Sequence, residues 1–161
     1  NKSISITKIN KRNINFHARH SAKKKIYKYV ILNRVTNSPM HKDRSWFLKK
    51  KLDLKLMKKA IKFFVGKHNF SSMRAASCVA KSAIRSVTKA NISKKSNHII
   101  ITFESRSFLQ KQVRSMVGCL KYVGEKKWKP EKIKKIIKLK KRSECAPPAP
   151  ASGLFLKKVF Y

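Results

Sequence analysis

"FHARHSAKKKIYKYVILNR" (residues 16–34) alternates through its second half as a strand does. Ile26, Lys28, Val30 and Leu32 fall on one face, Tyr27, Tyr29 and Ile31 on the other. Both faces carry apolar residues, which predicts a sheet covered on one side and occupied by something flat on the other. Arg19, Lys23, Lys24, Lys25 and Lys28 surround the two tyrosines. Lysines contact phosphates without sequence preference and aromatic faces stack on unpaired bases, so the pattern suits RNA. It suits equally well two core tyrosines edged by solvated lysines, and the stretch alone leaves both open.

Outward from this strand the chain punctuates itself clearly. "SISIT" (3–7) alternates and predicts a short strand, and "NSPMHKD" (37–43) predicts a loop. "LDLKLMKKAIKFFVGKHNF" (52–70) predicts a helix with Asp53 as N-cap, a stripe of Leu56, Met57, Ala60, Ile61 and Phe64, and Gly66 as its stop. "AIRSVTKANISKKSNHIIITFES" (83–105) reads as a hairpin turning at "SKKSN". "FLQKQVRSMVGCLKYVGE" (108–125) predicts a second helix ending at Gly124, with Phe108, Gln112, Val113, Met116, Val117 and Leu120 buried. Pro130 opens a third, "PEKIKKIIKLKKR", with a stripe of Ile133, Ile136 and Ile137. A Pro/Ala-rich loop over residues 142–152 leads to a closing strand, "LFLKKVFY". Together these predict an α+β fold, a mostly antiparallel mixed sheet with about three helices packed on it, in one domain over residues 1–161.

Charge narrows the function. The chain carries 42 Lys+Arg against 6 Asp+Glu, a formal net charge of +36, and 33 of the 42 are lysine. A compact chain so charged repels itself and needs a polyanion, for which RNA is the ordinary candidate. Lys, Asn and Ile enrichment fits an AT-rich coding sequence, but that bias does not account for the scarcity of acids. No apolar run approaches the roughly 20 residues of a membrane span, and the lysine-rich third helix needs its apolar stripe for the sheet, so no membrane partner is expected. Cys78, Cys119 and Cys145 are odd in number and widely spaced, as free thiols in a reduced compartment are. His17 and His20 lack a third ligand nearby, and no Gly-rich phosphate loop is present among only four glycines.

Five segments taken in order say more. "FHARHSAKKKIYKY", "LDLKLMKKAIKFFVGKHNFSSMRAASC", "IRSVTKANI", "FLQKQVRSMVGCLKYVG" and "APASGLFLKKVFY" together resemble the carboxy-terminal half of the bacterial-type tRNA pseudouridine synthase A family. The resemblance implies a cofactor-free isomerase that cleaves the uridine glycosidic bond, turns the base and rejoins it through carbon 5. It implies an aspartate nucleophile in a G-R-T-D motif, an aromatic residue packed on the base and an arginine paired with the aspartate. By match to Y-x-Y the aromatic is Tyr27, and by match to V-R the arginine is Arg114. Arg74 stands in the family's F-R-A region, Gly153 and Leu154 match its G-L, and Arg74 and Lys111 join the basic residues of the first strand as expected RNA contacts.

The departures are equally specific. The only aspartates are Asp43 and Asp53, neither in a G-R-T-D context, and in the family the nucleophile belongs to the amino-terminal half. The chain begins about where that half ends, and with Asn1 rather than Met. Asn69 replaces the Asp of H-D-F and Met73 the Phe of S-F-R, both expected near the RNA. With the acid depletion, these changes predict a non-catalytic structural component of a ribosome, a mitochondrial one first, with rRNA and neighbouring ribosomal proteins as partners. The alternative is half of an active tRNA pseudouridine synthase whose Asp comes from a missing or separate half, in an AT-rich bacterium. An assembly factor that binds a ribosome and leaves is a third reading.

Overall fold

The computed structural model describes residues 4–161, and its centre is the strand read first. Strand β1 (Lys24–Asn33) has β5 (His98–Ser105) antiparallel along one edge. Its other edge is shared: β6 (Leu154–Phe160) pairs antiparallel with Lys24–Tyr29, and the three-residue β2 (Trp46–Leu48) pairs parallel with Ile31–Asn33. Beyond β5 come β4 (Ile84–Lys95) and β3 (Gly66–Asn69), giving a six-stranded mixed sheet of order β2-β1-β5-β4-β3 with β6 beside β1. With helices α1 (Leu54–Ile61), α2 (Gln112–Gly124) and α3 (Lys132–Leu139), this is the expected α+β fold.

The alternation of β1 works as predicted on the core side. Tyr29 and Ile31 are fully buried beneath the helices, together with Ile99, Ile101 and Phe103 of β5 and Met57, Met116, Val117, Leu120, Ile133 and Ile136 of the helices. The flat-ligand expectation needs correcting, because Tyr27 lies on this same helix-covered face, at its open end. The opposite face carries Lys24 over the Phe160 ring (4.3 Å) and Lys28 over the Phe155 ring (4.9 Å), contacts in which a cation sits against the negative ring face. Leu32 is buried on that side too, where the returning loop stacks His41 on His98, its register partner's ring, at 4.6 Å.

Asp53 caps α1 as its sequence position predicts, its carboxylate accepting from the Leu56 N–H at 3.1 Å. Other boundaries moved. Residues 4–7 of "SISIT" form no strand and are exposed, with Ser3 outside the described residues; both edges of β1 are already taken. The first helix stops earlier than the pattern suggested, passing through a 3₁₀ turn into β3, which Gly66 opens at φ +112°. Helix α2 begins only at Gln112, after Lys111 at φ +63°, and ends at Gly124 as the sequence predicts. Gly124 is small for packing: a Cβ there would meet Met57 Sδ at 2.7 Å, where α1 and α2 touch. The Pro/Ala loop is two 3₁₀ turns, Arg142–Glu144 and Ala151–Gly153, joined by extended chain laid against α2.

Candidate active site and RNA interface

A cavity of about 700 Å³ opens where β1, the segment entering α2 and the start of β6 converge. Of the residues expected to meet RNA, Arg19, Lys25, Tyr27, Lys111 and Arg114 line it together. Arg85 of β4 joins them, so five cations line the cavity with the rings of Tyr27 and Phe108, and no carboxylate lines the wall. The Tyr27 ring stands edge-on to Phe108, centroids 5.3 Å apart at 88°, a favoured aromatic geometry that fixes its plane.

Arg114 sits on the first turn of α2 and is held by the Pro/Ala loop. Its Nε donates to the Ala149 carbonyl at 2.5 Å, and the Ala149 N–H donates to the Arg114 carbonyl at 3.0 Å. Its two terminal guanidinium nitrogens make no hydrogen bond among the described residues. A planar fork with free donors suits a carboxylate or a phosphate.

Tyr29, two residues along from Tyr27, has a different task. It is fully buried and its hydroxyl donates to the Pro150 carbonyl at 2.7 Å. Burial pushes its phenol pKa well above the usual value, with the nearby Arg114 charge opposing in part. Gly153 lets this ring lie where it does, since a Cβ there would come within 2.7 Å of the Tyr29 ring and of the Val30 carbonyl. Tyr27 thus faces the cavity, while Tyr29 pins the loop that orients Arg114, and Leu154 completes the wall.

The remaining predicted contacts are not brought to this cavity. Lys24 and Lys28 lie on the opposite sheet face, Lys24 also 3.7 Å from Glu104. Lys23 is exposed before the strand, and Arg74 lines a separate, smaller cavity. His17 and His20 stack at 4.3 Å, with His17 Nδ1 accepting from the Arg19 and His20 N–H groups, and His20 reaches the cavity wall. No group of three metal-ligating side chains occurs among the described residues. Arg85 was missed in the sequence, although period-two counting from the core residue Val87 places it on the core-facing side. There its Nη1 donates to the Ser82 and Ile84 carbonyls at 2.9 and 2.6 Å.

Comparison with known proteins gives this geometry a context. The family model described as tRNA pseudouridine synthase matches residues 60–161. The chain belongs to that family. It is 55% identical over 160 residues to tRNA pseudouridine synthase A of Pelagibacter ubique, covering 99% of this chain and 65% of that protein. It is 41% identical over 146 residues to tRNA pseudouridine synthase A of Xanthobacter autotrophicus and 40% identical over 146 residues to that of Parvibaculum lavamentivorans, covering 60% and 59% of those proteins. The chain therefore spans less than two thirds of the length of these relatives.

These findings overturn the reading as a non-catalytic ribosomal component. The family relatives reported are named as synthases, and nothing in them supports rRNA, ribosomal neighbours or a mitochondrion. They are bacterial proteins. The charge misled because +36 measures how many phosphates a surface can neutralise, and says nothing of whether the RNA is retained or released.

The two motif departures also have structural readings that leave the cavity intact. Asn69 Oδ1 accepts from the Ser71 N–H at 2.9 Å and the Ser71 hydroxyl at 2.6 Å, a task that needs only an acceptor oxygen. Met73 is fully buried in the core rather than placed at an RNA-facing surface, where methionine replaces another large apolar residue.

Proposed function

We propose that this chain is the carboxy-terminal part of a bacterial, cytoplasmic tRNA pseudouridine synthase A, which isomerises uridine to pseudouridine in tRNA. Net, the bond from N1 of uracil to C1′ breaks, a bond from C5 to C1′ forms, the C5 proton leaves and N1 gains one. No oxidant, reductant or second substrate is consumed. In this reading Tyr27 packs on the target base and the Arg114 fork pairs with an aspartate from a segment outside these 161 residues. Arg19, Lys25, Arg85 and Lys111 hold the RNA backbone at the rim.

The observation that carries the reading is the cavity's composition: an oriented aromatic ring and an arginine with free donors, among cations, with no acid of its own. An incoming carboxylate there is ion-paired, which keeps it ionised and ready as a nucleophile. Tritium release from tRNA labelled at uridine C5, by the protein purified from its native source, tests this. Arg114→Ala should abolish release while tRNA is still bound. Undiminished release in that variant would refute the role given to Arg114.

A further inference from the structure

A second cavity, of about 180 Å³, lies on the other side of the first turn of α2. Consecutive residues divide the two: Arg114 lines the larger, Ser115 the smaller, and Lys111 lies on the wall of both. The smaller one gathers Arg74, Lys111 and Arg142 from three separate segments, and no carboxylate lines it. Glu144, two residues beyond Arg142, is engaged elsewhere, accepting from Lys132 Nζ at 2.7 Å.

Arg74 and Arg142 are positioned rather than loose. Arg142 Nη1 donates to the Arg74 carbonyl at 3.3 Å and Arg74 Nη1 to the Ala80 carbonyl at 3.5 Å, leaving further donors on each guanidinium. Ser72 provides an independent sign. It belongs to the same wall, is 1% exposed, and its Oγ has no hydrogen-bond partner among the described residues. A buried hydroxyl without a partner carries a desolvation cost that a ligand oxygen would relieve. Ser115, also buried, adds a second hydroxyl in the first turn of α2.

Three converging cations, two buried hydroxyls and no acid make a site for a tetrahedral oxyanion. We propose that Arg74, Lys111 and Arg142, with Ser72 and Ser115, bind one phosphate group of the RNA backbone beside the large cavity. This deepens the proposed function and rests on it only for the source of the phosphate. Lys111, in a left-handed conformation at φ +63°, stands between the two cavities and links them.

Two measurements test it with the full 161-residue chain. First, amide NMR shifts are followed on titration with inorganic phosphate against chloride at matched ionic strength. Ser72, Arg74, Lys111, Ser115 and Arg142 should respond, and Ser72→Ala and Arg142→Gln should each weaken the response. Second, tRNA binding is measured across salt. Arg142→Gln should reduce the log–log salt slope by about 1, and more than Lys138→Gln, an exposed change on α3. Absence of a phosphate response at these residues overturns the site. A phosphate response with equal slopes for Arg142→Gln and Lys138→Gln overturns the RNA backbone as its source and leaves a free-phosphate site. If tRNA and phosphate behave as expected while the native protein releases no tritium, the pocket stands and the synthase reading falls.

Discussion

Arg114 and Ala149 hold each other through two hydrogen bonds, one from each residue to the other's carbonyl, across 35 positions of sequence. The arginine is therefore fixed at Nε by backbone, and its terminal nitrogens are set in one direction. Lysine keeps the charge and loses both the Nε anchor and the planar fork. Arg114→Lys should lower pseudouridine formation by about 10²-fold or more, as misplacement by an ångström does, with tRNA affinity within about 2-fold, since one charge among many is unchanged. Single-turnover tritium release and tRNA binding, measured side by side, check it. Parallel loss of both would mean that Arg114 is only a phosphate contact.

Gly153 is the contact point between β6, the Tyr29 ring and the Val30 carbonyl. A methyl group has nowhere to go because one neighbour is backbone and the other is locked by its hydrogen bond to Pro150. Gly153→Ala should destabilise the fold by about 1–3 kcal/mol, the usual range for overpacking. Urea unfolding reads this as a lower midpoint at unchanged slope. An unchanged midpoint would mean that β6 and Tyr29 separate without cost.

Asn69→Asp restores the family residue and changes no acceptor, because the Oδ1 that Ser71 uses is present in both. Stability should stay within about 0.5 kcal/mol and tritium release should not rise. A large gain in release would show that Asn69 does impair catalysis, contrary to its position in the turn.

Local patterns were legible where local physics decides them. The period-two alternation of β1 and the β4–β5 hairpin, the Asp53 cap and the isoleucine stripe of α3 all form as read. The strands β2 and β3 are three and four residues long, too short to show a period, and exist because longer neighbours offer them an edge. Strand β4 hid its facing for another reason. A bulge between Val87 and Lys89 shifts its register, so Val87 and Ile92 both reach the core although they differ in parity. The site was half visible. Tyr27 and Arg114 came through family resemblance, whereas the Ala149 clamp, the Tyr29–Pro150 bond and the gathering of Arg74 with Arg142 join distant segments that no local pattern relates.

Tyr29 links stability to alkaline pH. Its phenol ordinarily titrates near 10, and burial raises it in the folded chain. The folded state thus favours the neutral form: the contribution is fully present below about pH 10 and is lost as pH rises through the raised folded value. Tyr29→Phe should cost about 1 kcal/mol near neutrality, for the lost hydrogen bond to Pro150. It should also flatten the decline in stability above pH 10. Urea midpoints for both proteins from pH 7 to 11 test the sign, and a steeper alkaline decline in Tyr29→Phe would contradict it.

Cys119 and Cys145 sit with their sulfurs 3.5 Å apart, one on α2 and one entering the Pro/Ala loop. Their hydrogen bond divides them. It raises the Cys119 thiol, which burial raises further, and lowers Cys145, helped by the Arg142 charge against burial. Cys145 is therefore the first of the pair to ionise as pH rises, and is also the more exposed, half-buried against fully buried. Iodoacetamide should modify Cys145 well before Cys119 in the folded chain. Its rate should persist to lower pH than that of an ordinary thiol, and Cys119→Ala should move that profile upward by removing the donor. Peptide mass spectrometry over time and pH reads both effects. Modification of Cys119 first, or a pH profile unmoved by Cys119→Ala, would show that the two thiols do not share a proton.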